Sequence, residues 1–254
     1  MALIWQKRSA GKVYEVRTAG SSVRLYTDGI FHSQYNERRP ISGNLWDMLA
    51  LPLYLHSVPT KVKRILVLGV GGGAVIRHAM RLAPDAQIEA VDLDKQHLYV
   101  AKRFFKVTES TVNLHHADAI SWVTQYAGPP FDVIIDDLFG ESLDDQHLPQ
   151  RAVSVSNEWL HSLKSILVAD GVLAFNLESQ AEAKVLQRKV RAQESLEFKQ
   201  QVQISSPHYE NVIALLHSRT ISKSALLRAL EVEPVYRSWL KRQSMIYRFA
   251  LYFC

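Results

Sequence analysis

Cysteine is all but absent: Cys254 is the only one in 254 residues. One thiol can form neither an internal disulfide nor a thiolate metal cage, so the chain reads as cytoplasmic. Long apolar runs are missing too. No stretch approaches the roughly 18 residues needed to cross a bilayer, and Lys7-Arg8 cut off Met1–Trp5 too early for a signal peptide, so no membrane association is expected. Blocks of like charge are also lacking. The net charge of +5 is scattered over Arg38-Arg39, Lys61–Arg64, Arg188-Lys189 and Lys241-Arg242, which suits a solvated surface better than a nucleic-acid track. The ten histidines show no ligand spacing: His115-His116 are adjacent on a strand, and His97, His147 and His161 stand without partners. No metal site is expected, and no G-x-S-x-G elbow points to Ser-His-Asp catalysis.

What is present is the composition of a folded globular protein, 47% hydrophobic and 22% charged. Residues 12–37 alternate apolar and polar positions as short strands, Val13–Arg17, Val23–Tyr26 and Ile30–Ser33, with Thr27-Asp28-Gly29 as a hairpin turn. Leu45–Leu51 reads as a helix. From residue 64 short apolar runs alternate with helical stretches. Strands are expected at Arg64–Leu68, Ile88–Val91, Val112–His115, Asp132–Ile135 and Val172–Asn176, and a closing antiparallel pair at Phe198–Ile204 and Val212–Leu216. Helices are expected at Ala74–Leu82, Lys95–Phe105, Ala119–Gln125, Asn157–Leu167 and Ala181–Ala192. This alternation implies an α/β fold, a Rossmann-type, mostly parallel sheet with helices on both faces. The expected units are a small β region (1–40), a nucleotide-binding domain (41–220) and a C-terminal appendage (221–254). The appendage would hold helices Ser222–Leu230 and Val235–Arg242, then an aromatic tail, Met245–Phe253, packed on the domain or on a second subunit.

Candidate site residues cluster after the strands. Ile65–Leu68 runs into Gly69-Val70-Gly71-Gly72-Gly73-Ala74, a turn where glycine admits positive φ and close backbone approach, before a helix whose first N–H groups are free. Such a loop can face a pyrophosphate or lie under the amino-acid part of an adenosyl cofactor. Asp92 ends the next strand, 23 positions after Gly69, where a carboxylate can accept bonds from both ribose hydroxyls. Asp118, after the third strand, could accept the adenine amino protons or cap the helix that starts at Ala119. Leu93 and Ala119 are counted with these residues. The strand Phe131–Ile135 then delivers Asp136-Asp137, whose side chains should point to opposite faces, one toward the pocket and one to a partner elsewhere.

In this order and spacing, the elements from Leu25-Tyr26-Thr27-Asp28-Gly29 to Asp170-Gly171-Val172-Leu173 resemble the spermidine synthase family of polyamine aminopropyltransferases. The resemblance implies a class I methyltransferase-like fold behind a small N-terminal β domain. It implies that Asp92 holds the ribose of S-adenosylmethionine or its decarboxylated form, that Asp118 holds the adenine, and that Asp137 is the catalytic base. Asp136 is placed with the cofactor contacts. The departures fall on polyamine-specific positions. Gly72 stands where the family's G-G-G-D-G loop has Asp, Gly140 and Glu141 replace the Asp-Pro of D-x-x-D-P, and Asn44-Leu45 replace a Tyr-Gln pair. Glu141 and Asp144 could supply the missing amine-binding carboxylate. A carboxylate at 72 would suit a decarboxylated cofactor, whereas ordinary S-adenosylmethionine carries its own acid and would be repelled. Three readings follow: a methyltransferase with a small-molecule acceptor, such as an amine; a divergent aminopropyltransferase; or a binding protein without chemistry. A homodimer is the assembly the family suggests.

Overall fold

The hairpin pattern at the N-terminus extends further than the alternation predicts. A computed structural model describes residues 1–56, 61–108, 110–140, 149–232, 234, 237–238 and 248–253. Strands β1 (Ala2–Ser9), β2 (Lys12–Ala19), β3 (Ser22–Thr27) and β4 (Ile30–Asn36) form an antiparallel sheet in that order. The strand β1 is not anticipated. Its two-residue turn, Ala10-Gly11, has φ of 50° and 83°, the positive values such hairpins need, but alanine there is a weak signal. Asp28-Gly29, the expected turn, repeats the geometry at 49° and 82°. The last strand of this sheet carries a bulge. Leu25 pairs with Ser33 and Tyr26 with Phe31, so His32 is the extra residue.

Two short helices follow, α1 (Leu45–Leu49) and α2 (Pro52–His56). Asn44 caps α1 in a reciprocal box with Asp47, which accounts for Asn44 structurally. The main unit then runs β5 (Arg64–Leu68), α3 (Ala74–Leu82), β6 (Gln87–Asp92), α4 (Lys95–Arg103), β7 (Val112–His116), α5 (Ala119–Gln125) and β8 (Phe131–Asp136). A small pair, β9 (Phe139–Gly140) and β10 (Gln150–Arg151), precedes α6 (Asn157–Ser165) and β11 (Leu167–Leu177). After α7 (Gln180–Arg191) come β12 (Gln200–Ser206), β13 (Tyr209–His217), α8 (Lys223–Val232) and β14 (Arg248–Phe253). The expected helix Val235–Arg242 and the start of the tail lie largely outside the described residues.

The large sheet has the order β14-β12-β13-β11-β8-β5-β6-β7. Its β11-β8-β5-β6-β7 part is parallel, and β13, β12 and β14 add antiparallel at one edge. Chain order reverses between β5 and β8, which opens a crevice at the carboxyl ends of those strands. Both faces are covered, so the central strands are apolar throughout rather than alternating. Val133 and Ile135 face the layer of α1, α3, α4 and α8, while Ile134 faces α5, α6 and α7. The aromatic tail closes the outer edge as β14, paired along β12 with Phe249 buried.

Candidate functional site

The crevice is laced shut at its floor by main chain. Gly69 N–H donates to Val91 O (2.9 Å) and Asp137 N–H to Leu68 O (2.8 Å), tying the ends of β5, β6 and β8 together. Gly69 has φ of 87°, and a Cβ there would fall 2.2 Å from the Asp137 carbonyl oxygen. Only glycine lets the two strand ends meet. Gly71 runs beneath the His32 carbonyl, and Gly73, at φ 89°, is the N-cap of α3. The helix start is less open than the sequence implies. Ala74 N–H already donates to Ser33 Oγ on β4 (3.3 Å), so the small sheet caps the helix from across the chain.

Gly72 is constrained by volume. A Cβ at this position would lie 2.6 Å from Phe105 Cζ and 2.8 Å from Ser33 Cβ. The place where the resemblance implies a carboxylate is filled by a phenyl edge and a serine.

Asp92 braces this loop. Its Oδ2 accepts Val70 N–H (2.8 Å) and Gly71 N–H (3.0 Å) and lies 3.5 Å from His97 Nδ1, while Oδ1 accepts Asp94 N–H (2.7 Å). Both Oδ2 lone pairs are committed to the loop, which leaves Oδ1 as the freer oxygen for a ribose hydroxyl. Burial opposes charge on Asp92, but the bond to His97 and the N–H groups of Asp94 and Val70 outweigh it and hold the pKa below its ordinary value. His97 is also penalised by burial, and the carboxylates of Asp92 and Asp94 more than offset that, raising its pKa.

The small sheet reaches into this cluster. Thr27 Oγ1 lies 3.1 Å from His97 Nε2, and Tyr14 donates to Asp94 Oδ2 at 2.6 Å. The bulged His32 stacks obliquely on His97, ring centres 5.1 Å apart. Burial, then the charge on His97, push its pKa down to about 4, so it is a neutral imidazole at the loop.

On the far side of the crevice Asp118 is exposed. Its Oδ1 accepts Ser121 N–H at 2.8 Å, the cap of α5, and that bond lowers its pKa. Two apolar side chains are exposed nearby in sequence, Leu93 just after β6 at 71% and Ile120 in the first turn of α5 at 47% exposure. Ala119 is different: its side chain is buried in the core beneath α5. His97 and His32, which brace the acids beside the glycine loop, are not singled out for that role by the sequence.

The two adjacent acids do point to opposite faces, and this corrects the placement of Asp136 among the cofactor contacts. Its carboxylate is completely buried, bonded by Arg151 Nη2 to both oxygens (3.1 Å each) and by Trp159 Nε1 (2.8 Å). It is an internal anchor for β10 and α6. Asp137 faces the crevice instead, accepting Asn176 Nδ2 on Oδ1 at 2.7 Å. Burial first, and the negative charge of Asp136 after it, push the Asp137 pKa from 3.8 up to about 7, against the pull of the Asn176 bond. Glu141 and Asp144 lie outside the described residues. Among the described residues no helix is long and apolar enough to cross a membrane.

Comparison with known proteins follows these landmarks. The family described as spermine/spermidine synthase domain matches residues 47–220. An eEF1A lysine and N-terminal methyltransferase of Mus musculus is 33% identical over 123 residues, 44% of this chain and 17% of its own length. A polyamine aminopropyltransferase of Vibrio vulnificus is 30% identical over 119 residues, 46% of this chain and 38% of its own. The chain therefore spans well under half the length of either relative. In fold, it superposes on a probable spermidine synthase from Corynebacterium glutamicum with a TM-score of 0.71, at 16% identity, covering 96% of this chain and 95% of that one.

Proposed function

We propose that the chain, which belongs to the spermine/spermidine synthase family, departs from that family's usual reaction and is an S-adenosylmethionine-dependent methyltransferase acting on a small acceptor, with an amine the class its base suits. The observation that carries this reading is the filled space at Gly72, where Phe105 and Ser33 take the volume a carboxylate side chain would need. Two like charges about 4 Å apart cost on the order of 4 kcal/mol at an effective dielectric of 20. A floor without a carboxylate removes that cost for a cofactor bearing its own acid.

The residues fit an adenosyl sulfonium. Leu93 and Ile120 would sandwich the adenine, Asp118 would meet its amino edge, and Asp92 Oδ1 would take a ribose hydroxyl while Oδ2 keeps the loop in place. When bound, the cofactor supplies a carbon made electrophilic by its positive sulfur. The chain holds the acceptor in line with that carbon and removes its proton. Asp137 faces the crevice at the end of β8, and its pKa near 7 lets it accept a proton at neutral pH without being too weak a base. Divergent aminopropyl transfer is the second reading. Family membership favours it, and the same carboxyl would deprotonate an amine in either reaction. A protein that binds the nucleotide without turning it over is the third.

Calorimetric titration with S-adenosylmethionine and with its decarboxylated form separates the readings, with Asp92→Asn as control. Tighter binding of S-adenosylmethionine, lost in the control, is expected. Markedly tighter binding of the decarboxylated form would sink the methyltransferase reading. Turnover of a panel of amines distinguishes an enzyme from a binding protein.

A further inference from the structure

The crevice-facing acid is wired to a residue two strands away. The strands β8, β11 and β13 are consecutive neighbours in the sheet, and Asp137 just past the end of β8, Asn176 on β11 and Asn211 on β13 form a hydrogen-bonded row. Asn211 Nδ2 donates to Asn176 Oδ1 at 3.0 Å, and Asn176 Nδ2 donates to Asp137 Oδ1 at 2.7 Å. We propose that Asn211 is a positioning residue: by claiming the Asn176 carbonyl, it turns the Asn176 amide so that Asp137 Oδ1 is always an acceptor and Oδ2 is the oxygen that exchanges the proton. This inference rests on the reading of Asp137 as the base, but its central claim concerns proton placement and can be tested without turnover.

A side-chain amide has a donor end and an acceptor end, and it can be inserted in this row either way round. With its NH2 end toward Asp137, it bonds the ionised carboxylate. With its carbonyl end toward Asp137, it bonds only the protonated acid. The two orientations therefore favour opposite charge states of the same group. In the structure Asn211 turns its NH2 end to the Asn176 carbonyl, the arrangement that goes with the first.

The main chain of Asn176 is held independently, since its carbonyl oxygen accepts Arg151 Nη1 at 2.6 Å. The residue therefore stays in place if its amide turns over. The charged groups acting on Asp137 from the elements around it are Asp136 on its own strand, Arg151 on β10 and Asp92 on β6. None of them reports which way the amide points. The Asn211 bond does.

The experiment follows the Asp137 carboxyl directly, by titrating protein labelled with 13C at the aspartate carboxyl carbons and assigning the signal with Asp137→Asn. Asn211→Leu keeps the size of the side chain and adds no charge, but removes the donor and frees the Asn176 amide to turn. The wild-type midpoint is expected near 7, and that of Asn211→Leu about one pH unit higher, with the rising limb of the pH–rate profile moving by the same amount. If Asn211→Leu does not fold, Asn211→Ala removes the same donor. A purely structural Asn211 would lower the thermal midpoint and leave the Asp137 titration where it was, and that result overturns the inference. The two layers fail separately. A shifted titration in a protein whose Asp137→Asn variant still transfers keeps the wiring and discards Asp137 as base. An unshifted titration with an inactive Asp137→Asn does the reverse.

Discussion

Asp136 and Asp137 are neighbours in the chain, yet one is pinned between Arg151 and Trp159 while the other faces the crevice with its proton affinity raised. A carboxyl whose pKa rises from 3.8 in the unfolded chain to about 7 in the fold binds more protons folded than unfolded across that window. Its contribution to stability is therefore present below pH 4 and is lost as the pH rises toward 7. Asp137→Asn is expected to lower transfer by about 10²–10⁴-fold. It should also raise the melting temperature at pH 8 by a few degrees, about 3 °C per kcal/mol, with little change at pH 4. Paired activity and calorimetry scans check both. The loop gives a second test. Gly72→Ala drives a methyl group into the Phe105 ring and against Ser33 and should cost about 1–3 kcal/mol by urea unfolding, part of it recovered in Gly72→Ala with Phe105→Leu. Were the single change neutral, Phe105 would not be what keeps this position free of a side chain.

At the scale of elements, the sequence was legible where local chemistry and tertiary context agree. The apolar runs at β5, β6 and β8, and the capping acid Asp118, announce the parallel sheet and the helices after it. The strand β1 was not legible, because an alanine occupies a turn position with φ of 50°. The bulge at His32 was hidden for another reason. Alternation shows which face a strand residue takes only while the register holds, and an inserted residue changes the face without changing the pattern. The Asp136 partners were equally invisible, since Arg151 and Trp159 come together with it only when β10 and α6 fold over the sheet. Arg151→Met should leave Asp136 buried and uncompensated, a loss of about 3–5 kcal/mol, and Asp136→Asn in the same chain should recover much of it. Urea titrations of the three variants test this, and equal stabilities would mean that the pair contributes nothing.

For the whole molecule, two features lie at the ends of the described chain. The strand β14 covers the outer edge of β12, with Phe249 buried beneath it. Deleting residues 248–253 should bare the N–H and C=O groups of β12 and cause concentration-dependent association by light scattering as well as a lower melting temperature. Unchanged monodispersity would show that the edge is protected by something other than β14.

The small sheet, at the other end, touches the glycine loop through Ser33 at Ala74 and the start of α4 through Thr27 at His97 and Tyr14 at Asp94. These contacts join segments 41, 70 and 80 residues apart. These contacts couple docking of the sheet to ordering of the loop, and linkage makes the coupling reciprocal. A molecule that tightens the loop must slow amide exchange in β2, β3 and β4. By the same factor, anything that strains the outer face of that sheet will shift how firmly the glycine loop is held, giving the crevice a remote handle on a surface that never touches it.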